Sequence, residues 1–135
     1  MALPIPMNYL LDSCALLWLT DNPRRLSEPA RRAVSEPAAA VHVSAVSAWE
    51  LGIKVARKKL RLPRPVSEWF AEVCRRYALS ELPVTGTLAA KSTELPQLHS
   101  DPFDRLLVAS ALEFGLTVIT PDSHLSKYPN LKTLW

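Results

Sequence analysis

The chain has 135 residues, 48% of them hydrophobic, which suits one domain built on one core and gives no sign of a second. Its formal net charge of +3 is too small to specify a polyanionic partner by itself. No apolar run approaches the roughly 20 residues of a membrane-spanning helix, and the opening MALPIPM lacks the basic and long apolar regions of a secretory leader, so the expectation is a cytoplasmic protein with no membrane partner.

Residues 1–7, with Pro4 and Pro6, read as a loose tail. NYLLD at 8–12 reads as a buried strand and the following SCALLWL as a helix, which puts Asp12 at a strand-to-helix switch. Residues 27–36 form a second helix, capped by Ser27, tolerant of Pro29 in its first turn and closed by Pro37. AVHVS at 40–44 is another short strand. From Ser44 or Ser47 onward, Val46, Trp49, Ile53 and Ala56 take the spacing of one helical face, with Glu50 in the first turn or just past it.

Between 54 and 64 the chain carries Lys54, Arg57, Lys58, Lys59, Arg61 and Arg64 without an acidic residue. Such a block either contacts phosphates or is a solvated helix end, favoured by the helix dipole and stopped by Pro63 and Pro65. Val66, Trp69, Phe70, Val73, Cys74 and Tyr77 form the clearest amphipathic stripe, suited to the core or to a subunit contact. A strand is expected within 79–85 and a short helix over GTLAAKSTEL, stopped by Pro96. DPFDRLLVASALEFG is a helix with Asp101 as N-cap, Pro102 in the first position and Gly115 as its stop. LTVIT at 116–120 is a strand, SHLSKY a helical turn and LKTLW an edge strand. Alternating strands and helices give an α/β sandwich around a mostly parallel sheet.

Parallel strands end on a common edge, so residues just beyond those ends meet in space whatever their separation in the chain. Asp12 and Asp122 come after strand-like runs, whereas Glu50 and Asp104 lie near helix starts. Carboxylates gathered at one edge repel one another unless a cation with a preference for oxygen ligands, of the Mg2+ or Mn2+ type, holds them ionised. Each also has a local explanation: Glu50 completes a capping-box pattern with Ser47, Asp104 favours a helix dipole, Asp12 can cap the helix after it, and Asp122 can cap the turn after Pro121. Asp12 nevertheless interrupts an apolar stretch, where an unpaired charge is costly.

The remaining reactive groups point elsewhere. Cys14 and Cys74, without C-x-x-C spacing, are expected as core thiols rather than as a zinc site or a disulfide. His42, His99 and His124 are scattered, and no partner for any of them is evident. His42 alternates with apolar strand residues and reads as structural, while His99 reads as ordering its loop or touching substrate. Lys54 can pair with Glu50 along one helix face or meet a phosphate of a bound partner, and Arg105 presents the same choice between internal pairing and an outside contact.

YLLDSCALLWL, VSAVSAWELGIK, LHSDPFDRLLVASALEFGLTVITPD and the terminal LW, in this order and spacing, resemble a PIN domain, and within it the VapC-type toxins of toxin–antitoxin pairs. The resemblance implies a compact three-layer α/β/α sandwich and a Mg2+- or Mn2+-dependent endoribonuclease, usually a homodimer, held inactive by a cognate antitoxin protein. It places the family's four acidic positions on Asp12, Glu50, Asp104 and Asp122, as catalytic and metal-holding residues, with Ser13 in support. Cys14 stands where relatives often carry histidine, and the lead-in before the first strand is longer than usual, which makes Met7 an alternative start. Two other readings stay open: a non-catalytic binding module, and a receiver-like signalling domain that also gathers aspartates around Mg2+.

Overall fold

A computed structural model describes residues 7–135 of the chain. The expected loose tail falls, apart from exposed Met7, outside the described residues. Strands β1 (Asn8–Leu11), β2 (Ala40–Ser44), β3 (Ser80–Leu82), β4 (Thr117–Ile119) and β5 (Lys132–Leu134) form a single sheet in the order β3-β2-β1-β4-β5. Every pairing is parallel, with Leu11 of β1 facing Val43 of β2 on one side and Ile119 of β4 on the other. The receiver-like order is 2-1-3-4-5; here the third strand lies at the edge, which removes that reading.

Helices α1 (Ser13–Asp21), α2 (Glu28–Ser35), α3 (Ala45–Ala56), α4 (Val66–Arg76), α5 (Gly86–Glu94) and α6 (Pro102–Phe114) cover the sheet. Successive strand residues point to opposite faces, and β1 shows both layers. Tyr9 and Leu11 join a core with Leu16, Leu51, Trp69 and Phe70, whereas Leu10 joins Leu107, Val108, Val118 and Tyr128 on the other side. Leu10 and Leu11 are both fully buried; each such side chain contributes about 1.5–3 kcal/mol of apolar burial. An all-parallel sheet needs this double cover, because its crossover helices must pack on its faces.

The caps expected from sequence form where they matter for the site. Ser27 accepts from the Ala30 amide, and Asp101 from those of Phe103 and Asp104, with Pro102 opening α6. Gly115 ends α6 at φ 64°, a left-handed conformation that glycine adopts without strain. Of the two roles open to the α4 stripe, Trp69 and Phe70 take the core of the single chain. Two expectations need correction. Helix α3 starts from Ser44, one of the two starts expected, whose hydroxyl accepts from the Val46 amide; Glu50 thus lies just past the first turn, as expected, and the capping box with Ser47 does not form. Cys14 is exposed and so is no core thiol, whereas half-buried Cys74 packs against the core as expected.

Candidate active site

The centre of the sheet is also its switch point. From β1 the chain crosses to β2 on one side, and later returns to lay β4 on the other. Asp12 directly follows β1, and Thr120, Pro121 and Asp122 directly follow β4. The two strand ends therefore open into the crevice where α/β sheets bind their ligands. Helices α3 and α6, from Glu50 and Asp104, complete a pocket of about 290 Å3 whose walls include all four expected carboxylates.

Asp12 is the most constrained of them. It is the N-cap of α1: one carboxylate oxygen accepts from the Ala15 amide at 2.7 Å, and the other accepts from the Thr120 hydroxyl at 2.5 Å. The capping reading of Asp12 is thus correct for one oxygen and incomplete for the other. Burial drives its pKa up to about 6 against the pull of those two donors, and the charges of Glu50 and Asp122 add to the rise. Asp104 is likewise raised to about 6, first by burial and then by Asp101 and Glu50, with His99 acting in the opposite sense.

Glu50 is oriented by Ser13, whose hydroxyl donates to it at 2.6 Å; the Ser13 oxygen also lies 3.1 Å from that of buried Ser47. A serine has one proton to give, and it goes to the charged acceptor. Lys54, one turn along α3, stands 3.5 Å from the other Glu50 oxygen and also lines the pocket. Asp122 turns the chain after β4 by accepting from the amide and the ring of His124, at 2.9 and 3.0 Å, while its own amide donates to Thr120.

Sequence reasoning misses four parts of this site. Thr120 is the hydroxyl at the end of LTVIT, readable as the last strand residue facing the edge. Asp101 reads from sequence as a cap alone and is also a fifth carboxylate lining the pocket. Ser47 supports Ser13, and Cys14 lines the pocket beside Asp12. Partial desolvation by the surrounding pocket wall, although the residue is exposed overall, and then the neighbouring Asp12 charge push the Cys14 thiol up, which disfavours the thiolate a nucleophile needs. Two of the histidines do have partners, contrary to expectation: His124 meets Asp122, and His99 meets Tyr128 and Asp104. His42 has no part in the pocket.

The quartet offers only carboxylate oxygens, the donor type hard divalent cations select. Among the described residues no three His, Cys, Asp or Glu side chains converge tightly enough to enclose an ion by themselves. The carboxylates stand around an open pocket, an arrangement that suits a cation retaining much of its water. Each carboxylate oxygen already bonded here keeps a second lone pair. Two pKa values raised by burial first and by neighbouring carboxylates second mark a pocket in which positive charge is stabilising.

Residues 9–131 match the family described as the PIN domain. Ribonuclease VapC22 of Mycobacterium tuberculosis is 33% identical over 129 residues, covering 93% of this chain and 97% of that protein. Among solved structures, VapBC2 from Rickettsia felis bound to a DNA fragment from its promoter superposes with a TM-score of 0.70 at 15% identity, over 95% of this chain and 98% of the other. VapBC-1 from nontypeable Haemophilus influenzae gives 0.64 at 18% identity, over 95% and 97%. At these identities the two structures speak for the fold.

Proposed function

The chain belongs to the PIN-domain family, in its VapC branch, and from that premise we propose that it is a divalent-metal-dependent endoribonuclease toxin restrained by a cognate antitoxin protein. The observation that carries the reading is the convergence of Asp12, Glu50, Asp104 and Asp122 on one pocket at the β1/β4 switch point. Asp12, Glu50, Asp104 and Asp122 would hold Mg2+ or Mn2+. When bound, such a cation supplies Lewis acidity to a phosphodiester and lowers the pKa of water.

The chain's own residues then have distinct tasks. Thr120 and the Ala15 amide fix the Asp12 carboxylate, and Ser13 fixes Glu50. Lys54, half-exposed at the pocket wall, would meet a non-bridging phosphate oxygen. Water would be the nucleophile, as no side-chain nucleophile is required, and the raised pKa of the one thiol in the pocket disfavours its thiolate. Trp49, 60% exposed on α3, packs edge-on against Phe103 of α6 at 5.0 Å between ring centroids, and Phe103 also lines the pocket.

A second concavity of about 570 Å3 shares Leu17 with the pocket and is lined by Trp18, Leu60, Leu62, Trp69 and Tyr77, together with Arg25, Arg61, Arg64 and Arg76. These apolar walls, with Asp21 and Glu72 beside the arginines, suit the amphipathic segment of an antitoxin, which past Leu17 would present a basic side chain to the carboxylates. This gives Arg61 and Arg64 of the basic block a role at a protein contact. A homodimer is the expected assembly, and light scattering showing only monomer at all working concentrations would remove it.

The test is cleavage of a mixed cellular RNA pool by the purified chain with Mg2+, Mn2+ or EDTA, beside a folded Asp122→Asn variant. Cleavage that needs metal and is lost in the variant supports the nuclease. No cleavage by folded, antitoxin-free protein would instead favour a non-catalytic binding module.

A further inference from the structure

Three side chains outside the carboxylate quartet form a chain of contacts that ends on one of its members. The hydroxyl of Tyr128, a residue only 2% exposed, lies 2.6 Å from Nδ1 of His99, the rings meeting edge-on. The other ring nitrogen, Nε2, is buried without a hydrogen-bond partner and faces Oδ2 of Asp104 at 3.4 Å. That distance is close enough for attraction and long for a full hydrogen bond, which a small rotation of Asp104 completes. Arg105 holds the loop that carries His99: its guanidinium donates to the carbonyls of Leu95 at 2.9 Å, Pro96 at 3.0 Å and His99 at 3.3 Å. Its buried charge is thus spent on backbone, and the internal role expected for Arg105 is realised without a carboxylate partner.

A neutral imidazole carries one proton, and the partner of one nitrogen decides where it sits. A bare Nε2 lone pair facing a carboxylate would be repulsive, whereas an N–H there is attractive. The proton therefore belongs on Nε2, Nδ1 is the acceptor, and the Tyr128 hydroxyl is the donor. Resting on the metalloribonuclease reading above, we infer that His99 is a positioning residue for that site: Tyr128 and Arg105 hold its ring so that Nε2–H aims the Asp104 carboxylate into the pocket. Its action passes through Asp104, as outer partners orient metal-holding carboxylates generally.

The experiment has two readouts. In nitrogen-15 spectra of the histidine-labelled, metal-free protein at pH 8, His99 shows its proton on Nε2, and Tyr128→Phe, which keeps the ring and the packing, removes that preference. In Mn2+ titrations followed by electron paramagnetic resonance, Tyr128→Phe and His99→Ala weaken binding by about 10-fold or more. His99→Gln, whose amide nitrogen can reach the place of Nε2, recovers most of the loss, and the shorter His99→Asn does not. A proton on Nδ1 or on both nitrogens, or His99→Ala binding Mn2+ as tightly as the unaltered chain, overturns the inference. An unaltered chain that binds no Mn2+ is a different failure: it removes the metalloribonuclease reading itself, while the nitrogen spectra still report where the proton sits.

Discussion

Thr120 donates a hydrogen bond of 2.5 Å to Asp12 across 108 positions of the chain. It ties the residue after β4 to the residue after β1, adding a side-chain link to the backbone ladder that already holds the two strand ends together. It also opposes the burial that raises the Asp12 pKa.

Replacing that donor should therefore be felt in both stability and protonation. Thr120→Val, nearly isosteric, is expected to lose about 1.5–3 kcal/mol at pH 8, the cost of a hydrogen bond to a charged group. It should also move the Asp12 titration further upward, so that the acid limb of the cleavage profile shifts to higher pH. Urea unfolding and a pH–rate profile check the two parts, and an unchanged profile would sever Thr120 from the site.

The metal-free fold should be more stable in mild acid than at neutral pH as far as Asp12 and Asp104 are concerned. Both are raised from 3.8 to about 6 in the folded state, so the folded chain binds more protons than the unfolded one between those values. Their contribution to stability then falls as pH rises through that window. Asp104→Asn, which cannot ionise, should raise stability in EDTA at pH 8 by about 1 kcal/mol, less than a fully buried group would give because Asp104 is partly solvated. Added Mn2+ should stabilise the unaltered chain at pH 8 more than at pH 5. Urea midpoints across pH, with and without Mn2+, would show it.

Ser13→Ala deletes the 2.6 Å donor to Glu50 and leaves the backbone of α1 intact. The expected result is a loss of about 10-fold in Mn2+ affinity. Circular dichroism should stay unchanged, because Asp12, not Ser13, caps the helix. Calorimetric titration with Mn2+ measures the first part.

Lys54→Gln should separate binding from folding. Its pairing with Glu50 at 3.5 Å is half-exposed and is worth at most about 0.5 kcal/mol. If Lys54 meets phosphate, KM for RNA rises while the melting temperature holds, and the slope of log affinity against log salt falls by about 1. An unaltered salt slope would return Lys54 to the ion pair alone.

The fold and the quartet are legible in the sequence because both come from local rules. Asp101, Pro102 and Gly115 bound α6 by chemistry that operates within a few residues, and β-branched or apolar runs ending on Asp12 and before Asp122 point to one sheet edge. The illegible part depends on contacts between distant segments. Thr120 is an ordinary strand residue until β4 is known to pair with β1. The partners of His99 come from Tyr128, 29 positions later, and from the start of α6. Trp69 and Phe70 are ambiguous in sequence because an apolar stripe has the same spacing whether it meets its own sheet or a second subunit, and only the packing of α4 against the first core layer decides between them.

Chain order gives the pocket a timetable. A ribosome makes Asp12 and Glu50 before Thr120 and Asp122, and β4 must be laid beside β1 before the crevice exists. A nascent or prematurely terminated chain lacking that region carries three of the four carboxylates around an incomplete sheet, with nothing to pin the free oxygen of Asp12. On the nuclease reading, a fragment that stops before β4 has no assembled pocket, so activity follows the synthesis of β4 and Asp122.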